Sequence, residues 1–336
     1  SQTKCYLCNV MKYSIIVPVF NRPDEVDELL ESLLHQKETD FEVVIVEDGS
    51  KVPCKDVCNK YIDKLNLHYY YKENSGPGQS RNYGAERAKG EYLLILDSDV
   101  VLPTGYLQAI DEELQRKPAD AFGGPDKAHD SFTDTQKAIS YSMTSFFTTG
   151  GIRGGKKKLD KFYPRSFNMG IRRDVYQELG GFSKMRFGED IDFSLRLQEA
   201  GARTVLIPEA YVYHKRRVDL RRFFKQVHNS GIARIHLESR HPGSTRLVHL
   251  LPALFTICSF VALFLGVGRW GLCALALLFF VDAYFRTGRS LEVALLAVPA
   301  CFIQLWGYGT GFLRAWWGKY VLRKKEFIAF RDNFYE

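Results

Sequence analysis

Gly90-Glu-Tyr-Leu-Leu-Ile-Leu-Asp-Ser-Asp99 is the most informative run of the chain. Tyr92 to Leu96 is short, continuous and apolar, which fits a strand buried on both faces of a parallel sheet. It ends in two carboxylates, Asp97 and Asp99, one residue apart. Ligands of open α/β sheets gather at the carboxyl ends of strands, and two such oxygens beside a diphosphate suit Mg²⁺ or Mn²⁺. An isolated Asp-x-Asp is more often only a polar turn, so the rest of the chain has to carry the argument.

Working outward, strands and helices alternate on both sides. Tyr13 to Phe20 reads as a first strand, and Asn21-Arg-Pro-Asp24 as a turn with proline at a helix start. Val26, Leu29, Leu30, Leu33 and Leu34 follow at helical spacing. Phe41 to Val46 is a second strand ending in Glu47-Asp48-Gly49-Ser50, and Leu67 to Tyr71 a third. Asn74-Ser-Gly-Pro-Gly-Gln-Ser-Arg-Asn82 is a glycine-rich entry into a helix. This alternation predicts βαβ units and a Rossmann-like α/β nucleotide-binding domain. Beyond it, Gly150 to Lys158 is glycine-rich and basic and predicts a loop. Phe187-Gly-Glu-Asp190-Ile-Asp192 opens a further amphipathic helix, and a short strand delivers His214.

The average composition, 46% hydrophobic with a formal charge of +7, hides a partition near Arg246. Residues before it are mixed and charged. Leu247 to Leu313 is overwhelmingly apolar, with basic clusters before it (Lys215, Arg216, Arg217, Arg221, Arg222, Lys225) and after it (Lys319 to Lys325). Such flanks fit the cytoplasmic side of an anionic membrane, and no basic-aromatic pattern of a nucleic-acid binder is present. Arg221 to Leu237 reads as a basic amphipathic helix lying in the membrane interface. Leu247–Val267 and Val293–Leu313 are each long enough to cross. Trp270–Phe285 is shorter and carries Asp282, so two or three spans are expected. Of seven cysteines, three lie in apolar stretches, and Cys5-x-x-Cys8 has no second metal-ligand pair at zinc spacing near it, which fits a reducing compartment with incidental thiols. Ser1–Val10 has no apolar core of signal-peptide length and reads as an extension.

Taken together, Pro18-Val-Phe-Asn-Arg22, Val46-Glu-Asp-Gly-Ser50, Ser80-Arg-Asn-Tyr-Gly84, Asp97-Ser-Asp99, Gly188-Glu-Asp190 and His214 resemble, in order and spacing, the inverting glycosyltransferases of family 2, which have a GT-A fold. The resemblance covers about residues 12 to 235, and the apolar tail is similar to membrane-anchored members that build bacterial exopolysaccharide or lipid-linked oligosaccharide. It implies a catalytic domain over 11–214, an interface region over 215–246, transmembrane helices over 247–313 and a basic tail over 314–336. It further implies that Pro18, Phe20, Asp48, Arg81 and Asp97 bind a nucleotide-sugar, a UDP-sugar ahead of a GDP-sugar, and that Asp99 and His214 hold Mn²⁺ or Mg²⁺. Asp190 is the implied general base, with Glu189, Arg217 and Arg221 on the acceptor. Where processive members carry Gln-x-x-Arg-Trp, this chain has Gln226-Val-His-Asn-Ser-Gly-Ile-Ala-Arg234 without tryptophan. That departure points to transfer of one sugar, while the Glu189-Asp190 pair with the Arg216, Arg217, Arg221 and Arg222 cluster points to a hydroxyl of a lipid-linked acceptor, at the cytoplasmic face of the inner membrane. A polyprenyl-phosphate glycosyltransferase and an inactive scaffold of a polysaccharide assembly complex are the alternatives.

Overall fold

The computed structural model describes residues 11–127, 132–149, 162–215 and 219–323, and it divides into two compact units. The first holds the sheet. Its elements through the first half are β1 (Tyr13–Val19), α1 (Pro23–Leu34), β2 (Phe41–Asp48), α2 (Lys55–Asn59), β3 (Leu67–Lys72), α3 (Pro77–Ala85), β4 (Tyr92–Leu96), β5 (Val100–Val101), α4 (Tyr106–Arg116), β6 (Ala121–Gly123) and β7 (Asp126–Lys127). After α5 (Asp134–Thr144) and α6 (Phe146–Thr149), which cluster with the second unit, the chain returns as β8 (Asn168–Arg172), α7 (Arg173–Glu178), α8 (Glu189–Glu199), β9 (Thr204–Leu206) and β10 (Val212–His214). The continuous catalytic domain expected over 11–214 is thus interrupted, with residues 132–149 grouped elsewhere.

Seven strands form the main sheet in the order β3-β2-β1-β4-β8-β6-β9. The first four are mutually parallel, and β8 runs antiparallel to β4 and β6. All five residues of β4 are buried, as a strand covered on both faces requires. One face packs Val26, Leu29, Leu30 and Leu33 of α1 with Leu107 and Ile110 of α4; the other packs Phe182, Phe193 and Leu197. Gly84 lets α3 press onto the sheet, since a Cβ there would lie 2.6 Å from Ile16 Cγ2. A second, three-stranded sheet, β5-β10-β7, was not legible in the sequence. Its antiparallel β5–β10 pair sets His214 opposite Val100, the residue after Asp99.

The second unit is helical. It comprises α5, α6, α9 (Leu220–Arg240), α10 (Leu247–Leu263), α11 (Gly266–Arg286) and α12 (Leu291–Trp316), the last running into a π-helical turn, Trp317–Val321. Gly231 permits backbone contact between α9 and α12, because a Cβ there would lie 2.2 Å from the Tyr308 carbonyl oxygen. The lengths reverse the sequence expectation. The Leu247–Val267 segment is a helix of 17 residues that turns at Phe264, whereas the doubtful middle segment is a helix of 21. Gly266–Arg286 and Leu291–Val321 are the two described helices long and apolar enough to cross a membrane. Asp282 has a local role: it accepts from the Tyr141 hydroxyl of α5 at 2.5 Å and from Arg286 Nε at 2.8 Å.

Candidate active site

The loops at the carboxyl ends of β1, β2 and β4 meet α3, the start of α8 and the end of β10. Pro18 and Phe20, both half-buried, stand at the end of β1. Asn21 follows with φ of +54°, its amide donating to Ser50 Oγ at 2.7 Å while its Oδ1 accepts from Lys51 and Val52 N–H at 2.8 and 3.0 Å. These bonds tie the β1 loop to the β2 loop.

Asp48 departs from its expected role. The residue is fully buried, Oδ1 accepts from Ser75 N–H at 2.9 Å and from the Lys72 ammonium, and Oδ2 accepts from Gly76 N–H at 2.8 Å. Its carboxylate pins the glycine-rich loop from beneath and presents no surface to a nucleotide base. Arg81 is also committed within the protein. It is 3% exposed, and its guanidinium bridges Asp97 (2.8 Å) and Glu189 (2.9 Å) while packing over Phe182. Burial opposes its charge, but Asp97 and Glu189 outweigh burial and raise its pKa. Arg81 therefore orients one carboxylate on each side of the site, and the diphosphate contact expected of it is not free to form while both pairs hold.

Asp97, Asp99 and His214 converge. One ligand atom from each lies within 4.8 Å of the others. Asp99 Oδ1 is 3.2 Å from His214 Nε2, and its other oxygen pairs with Arg22. Burial alone raises the pKa of Asp99; His214 and Arg22 reverse that and hold it well below the usual carboxylate range. The His214 ring stacks on Phe167 with centroids 5.1 Å apart, which fixes its plane. Two carboxylate oxygens and an imidazole nitrogen are a donor set for a hard or borderline divalent cation such as Mn²⁺ or Mg²⁺. Asp97, expected on the nucleotide, joins Asp99 and His214 in this set.

The three acids opening α8 have three different partners. Glu189 pairs with Arg81, and burial with the neighbouring Asp190 raises its pKa against the pull of Arg81. Asp190 Oδ2 accepts from Arg165 Nε at 2.6 Å; burial raises its pKa, but Arg165 overcomes this and the net shift is down. Asp192 accepts from Ser183 Oγ at 2.6 Å and Arg196 Nε at 3.0 Å, a structural role. Sequence reasoning missed Arg22, Lys72 and Arg165 as site residues. Arg22 stood in view as a turn residue, while Arg165 lies in a segment with no hydrophobic period to place it. Of the expected acceptor residues, Glu189 is here, Arg221 is exposed on α9 of the other unit, and Arg217 lies outside the described residues.

Comparison with known proteins bears on the family and the fold. Residues 14–180 match the family described as glycosyl transferase family 2. Poly(ribitol-phosphate) beta-N-acetylglucosaminyltransferase TarS of Staphylococcus aureus is 43% identical over 94 residues, covering 27% of this chain and 16% of TarS. A pre-mycofactocin glycosyltransferase of Mycobacterium tuberculosis is 25% identical over 318 residues, covering 88% of this chain and 61% of that protein. The matches to these two curated relatives therefore cover less than two-thirds of each one's length. Among solved structures, the mannosyltransferase PcManGT of Pyrobaculum calidifontis, in complex with GDP-Man and Mn²⁺, aligns with a TM-score of 0.61 at 16% identity over 87% of both chains. That likeness shows a mixed α/β GT-A-like fold. Asp190 and His214 lie beyond the family match, and tertiary structure alone joins them to Asp97 and Asp99.

Proposed function

We propose, with residues 14–180 as a glycosyltransferase family 2 domain, that the chain is a membrane-bound inverting glycosyltransferase. It would move one sugar from a nucleotide-sugar, UDP-linked ahead of GDP-linked, to a hydroxyl of a lipid-linked acceptor in polysaccharide or glycolipid synthesis. The observation that carries this reading is the convergence of Asp97, Asp99 and His214 in the unit where Arg81 links Asp97 to Glu189, the neighbour of Asp190. Names of relatives support the donor class: TarS is an N-acetylglucosaminyltransferase, and PcManGT was solved with GDP-Man and Mn²⁺.

In a single displacement the acceptor oxygen bonds to the anomeric carbon as the bond to the diphosphate breaks. The acceptor hydroxyl gives its proton to a carboxylate, and Asp190 is the proposed general base. Arg165 holds one oxygen of Asp190, and among the described residues Oδ1 accepts only from the backbone N–H of Ile191. A divalent cation held by Asp97, Asp99 and His214 would offset the charge of the leaving diphosphate. Arg22, by sharing Asp99, keeps that carboxylate ionised and oriented.

Membrane attachment rests on α11 and α12. Val267 and Trp270 are 87% and 78% exposed in a helix of mean hydropathy 1.5, the opposite of a soluble core helix. With basic flanks on the cytoplasmic side, the inner membrane with a cytoplasmic catalytic domain is the assigned location.

The Arg165–Asp190 pair favours a second reading as well. A carboxylate committed to a guanidinium is a weak base, and a polyprenyl phosphate is an acceptor already ionised. Nucleotide release from a panel of UDP- and GDP-sugars by the detergent-purified chain, with Mn²⁺ and a bacterial lipid extract, tests both. Hydroxyl transfer requires that Asp99→Ala and Asp190→Ala each abolish turnover. Full turnover in Asp190→Ala selects the phosphate acceptor. Donor binding without turnover on any lipid overturns the enzyme reading in favour of the scaffold.

A further inference from the structure

Between Asp219 and Arg323 there are twelve Lys and Arg residues against four Asp and Glu. One of the cations occupies an unusual place. The buried stripe of α9 runs through Phe223, Val227 and Gly231, and the next positions on that face, three and four residues on, are Arg234 and Ile235. Ile235 packs with Ala253 of α10 and Phe312 of α12. Arg234 therefore emerges where three helices meet, at a position suited to an apolar side chain. Its Nε is buried without a hydrogen-bond partner, and no ion pair to Arg234 is present among the described residues.

The natural counter-ion is Glu238, one turn along the same helix. It is taken: Oε1 accepts from Gly243 N–H at 2.7 Å, and Oε2 accepts from Thr245 N–H at 2.7 Å and Ser244 Oγ at 3.2 Å. These bonds fold the α9–α10 connection back over the helix end and bring further donors to the same corner. The Thr245 side chain turns to Glu238 as well, Arg246 precedes the first turn of α10, and the fields of Arg234 and Arg246 both reach His249. Lys319, in the π-helical turn after α12, contacts Ser239 of α9. Glu238, in the last turn of α9, is thus committed to the α9–α10 connection. Among the described residues the half-buried Arg234 guanidinium has no acceptor for its buried Nε, and an unpaired, partly desolvated charge is costly.

We propose that this corner of the helical unit is a phosphate-binding site, built on Arg234, Thr245 and Arg246 with Lys319 at its rim. It takes a phosphate or diphosphate, whose several acceptor oxygens match a guanidinium and a hydroxyl together. The group can arrive on a membrane lipid or free in solution. The site stands on this unit's own residues and is read out by binding, so it is independent of the transferase reading.

The test is titration of the full chain in a non-ionic detergent with dodecyl phosphate and, separately, sodium pyrophosphate, followed by calorimetry and thermal melting at constant ionic strength. Dodecyl phosphate is expected to bind and raise the melting temperature. Arg234→Met should weaken it roughly tenfold or more, as loss of a charge-assisted hydrogen bond does, without lowering the melting temperature of the ligand-free protein. Lys225→Gln, on the exposed side of α9, should bind as the wild type does. Binding of dodecyl phosphate far tighter than pyrophosphate assigns the lipid source, and equal binding assigns the free anion. If Arg234→Met fails to fold, Thr245→Val and Arg246→Gln enter the same titration. Affinity unchanged by these substitutions, or no binding of either probe, overturns the site.

Discussion

In the sheet unit Arg81 lies between Asp97 and Glu189, Arg22 against Asp99, and Arg165 against Asp190. In the helical unit Arg234 has no such partner, and Leu247, Val267 and Trp270 are each more than three-quarters exposed. A transfer site must hold its charges oriented before substrate arrives, so each candidate catalytic carboxylate has a cation to fix it. In the helical unit large apolar side chains lie outward instead, and under the proposed membrane attachment they would face lipid.

The comparison is broken most directly at Asp190. Asp190→Asn should lower the turnover number for a hydroxyl acceptor by about 10² to 10⁴, the usual worth of a general base, with melting temperature unchanged; multiple-turnover kinetics measures it. Next is Arg81→Met, which strands Asp97 and Glu189 in a buried site. We expect a loss of about 3–5 kcal/mol of stability, as for a broken buried pair, seen in denaturant unfolding followed by tryptophan fluorescence. In the helical unit, Gly231→Val drives methyl groups into the α12 backbone and should cost about 1–3 kcal/mol by overpacking; a Val variant melting like the wild type would show that α9 and α12 are not in backbone contact.

Two smaller effects depend on pH. Burial raises the Asp190 pKa, but Arg165 outweighs it and keeps the carboxylate ionised, so Arg165→Met should move the acid limb of the kcat/KM profile upward. An unmoved limb would mean that a different group titrates. Glu238 is held at a pKa of about 2, chiefly by the Gly243 N–H bond. Its folded pKa is below the unfolded value near 4.3, so its contribution is present above about pH 4 and lost as pH falls towards 2. Glu238→Gln should therefore flatten the acid slope of the melting temperature across that window, with little change at pH 7.

Much of the sheet unit was legible because its signals are local. The apolar run Tyr92–Leu96, the prolines and glycines at helix starts and the acids at strand ends are each set within a few residues. Asp48 was visible as a strand-end acid, but its direction was not, since Lys72, Ser75 and Gly76 reach it from about 25 residues away. Arg165 was invisible for the same reason: nothing near it in the chain announces Asp190, 25 residues on. The helical unit misled in another way. Hydropathy over Leu247–Val267 is continuous, yet the helix turns at Phe264, and the next begins at Gly266. A hydropathy run records what is apolar and says little about where a backbone turns.

The order of residues by itself determined the parallel α/β half, the apolar tail and the types of side chain available for chemistry, because periodicity and turn propensity act over one or two turns of chain. Only the tertiary structure set His214 beside Asp99, gave Asp190 its guanidinium partner and turned Asp48 inward. Those choices depend on β5 pairing with β10 and on loops closing across the ends of the sheet, and the free energy of such contacts is decided by packing between residues far apart in the chain.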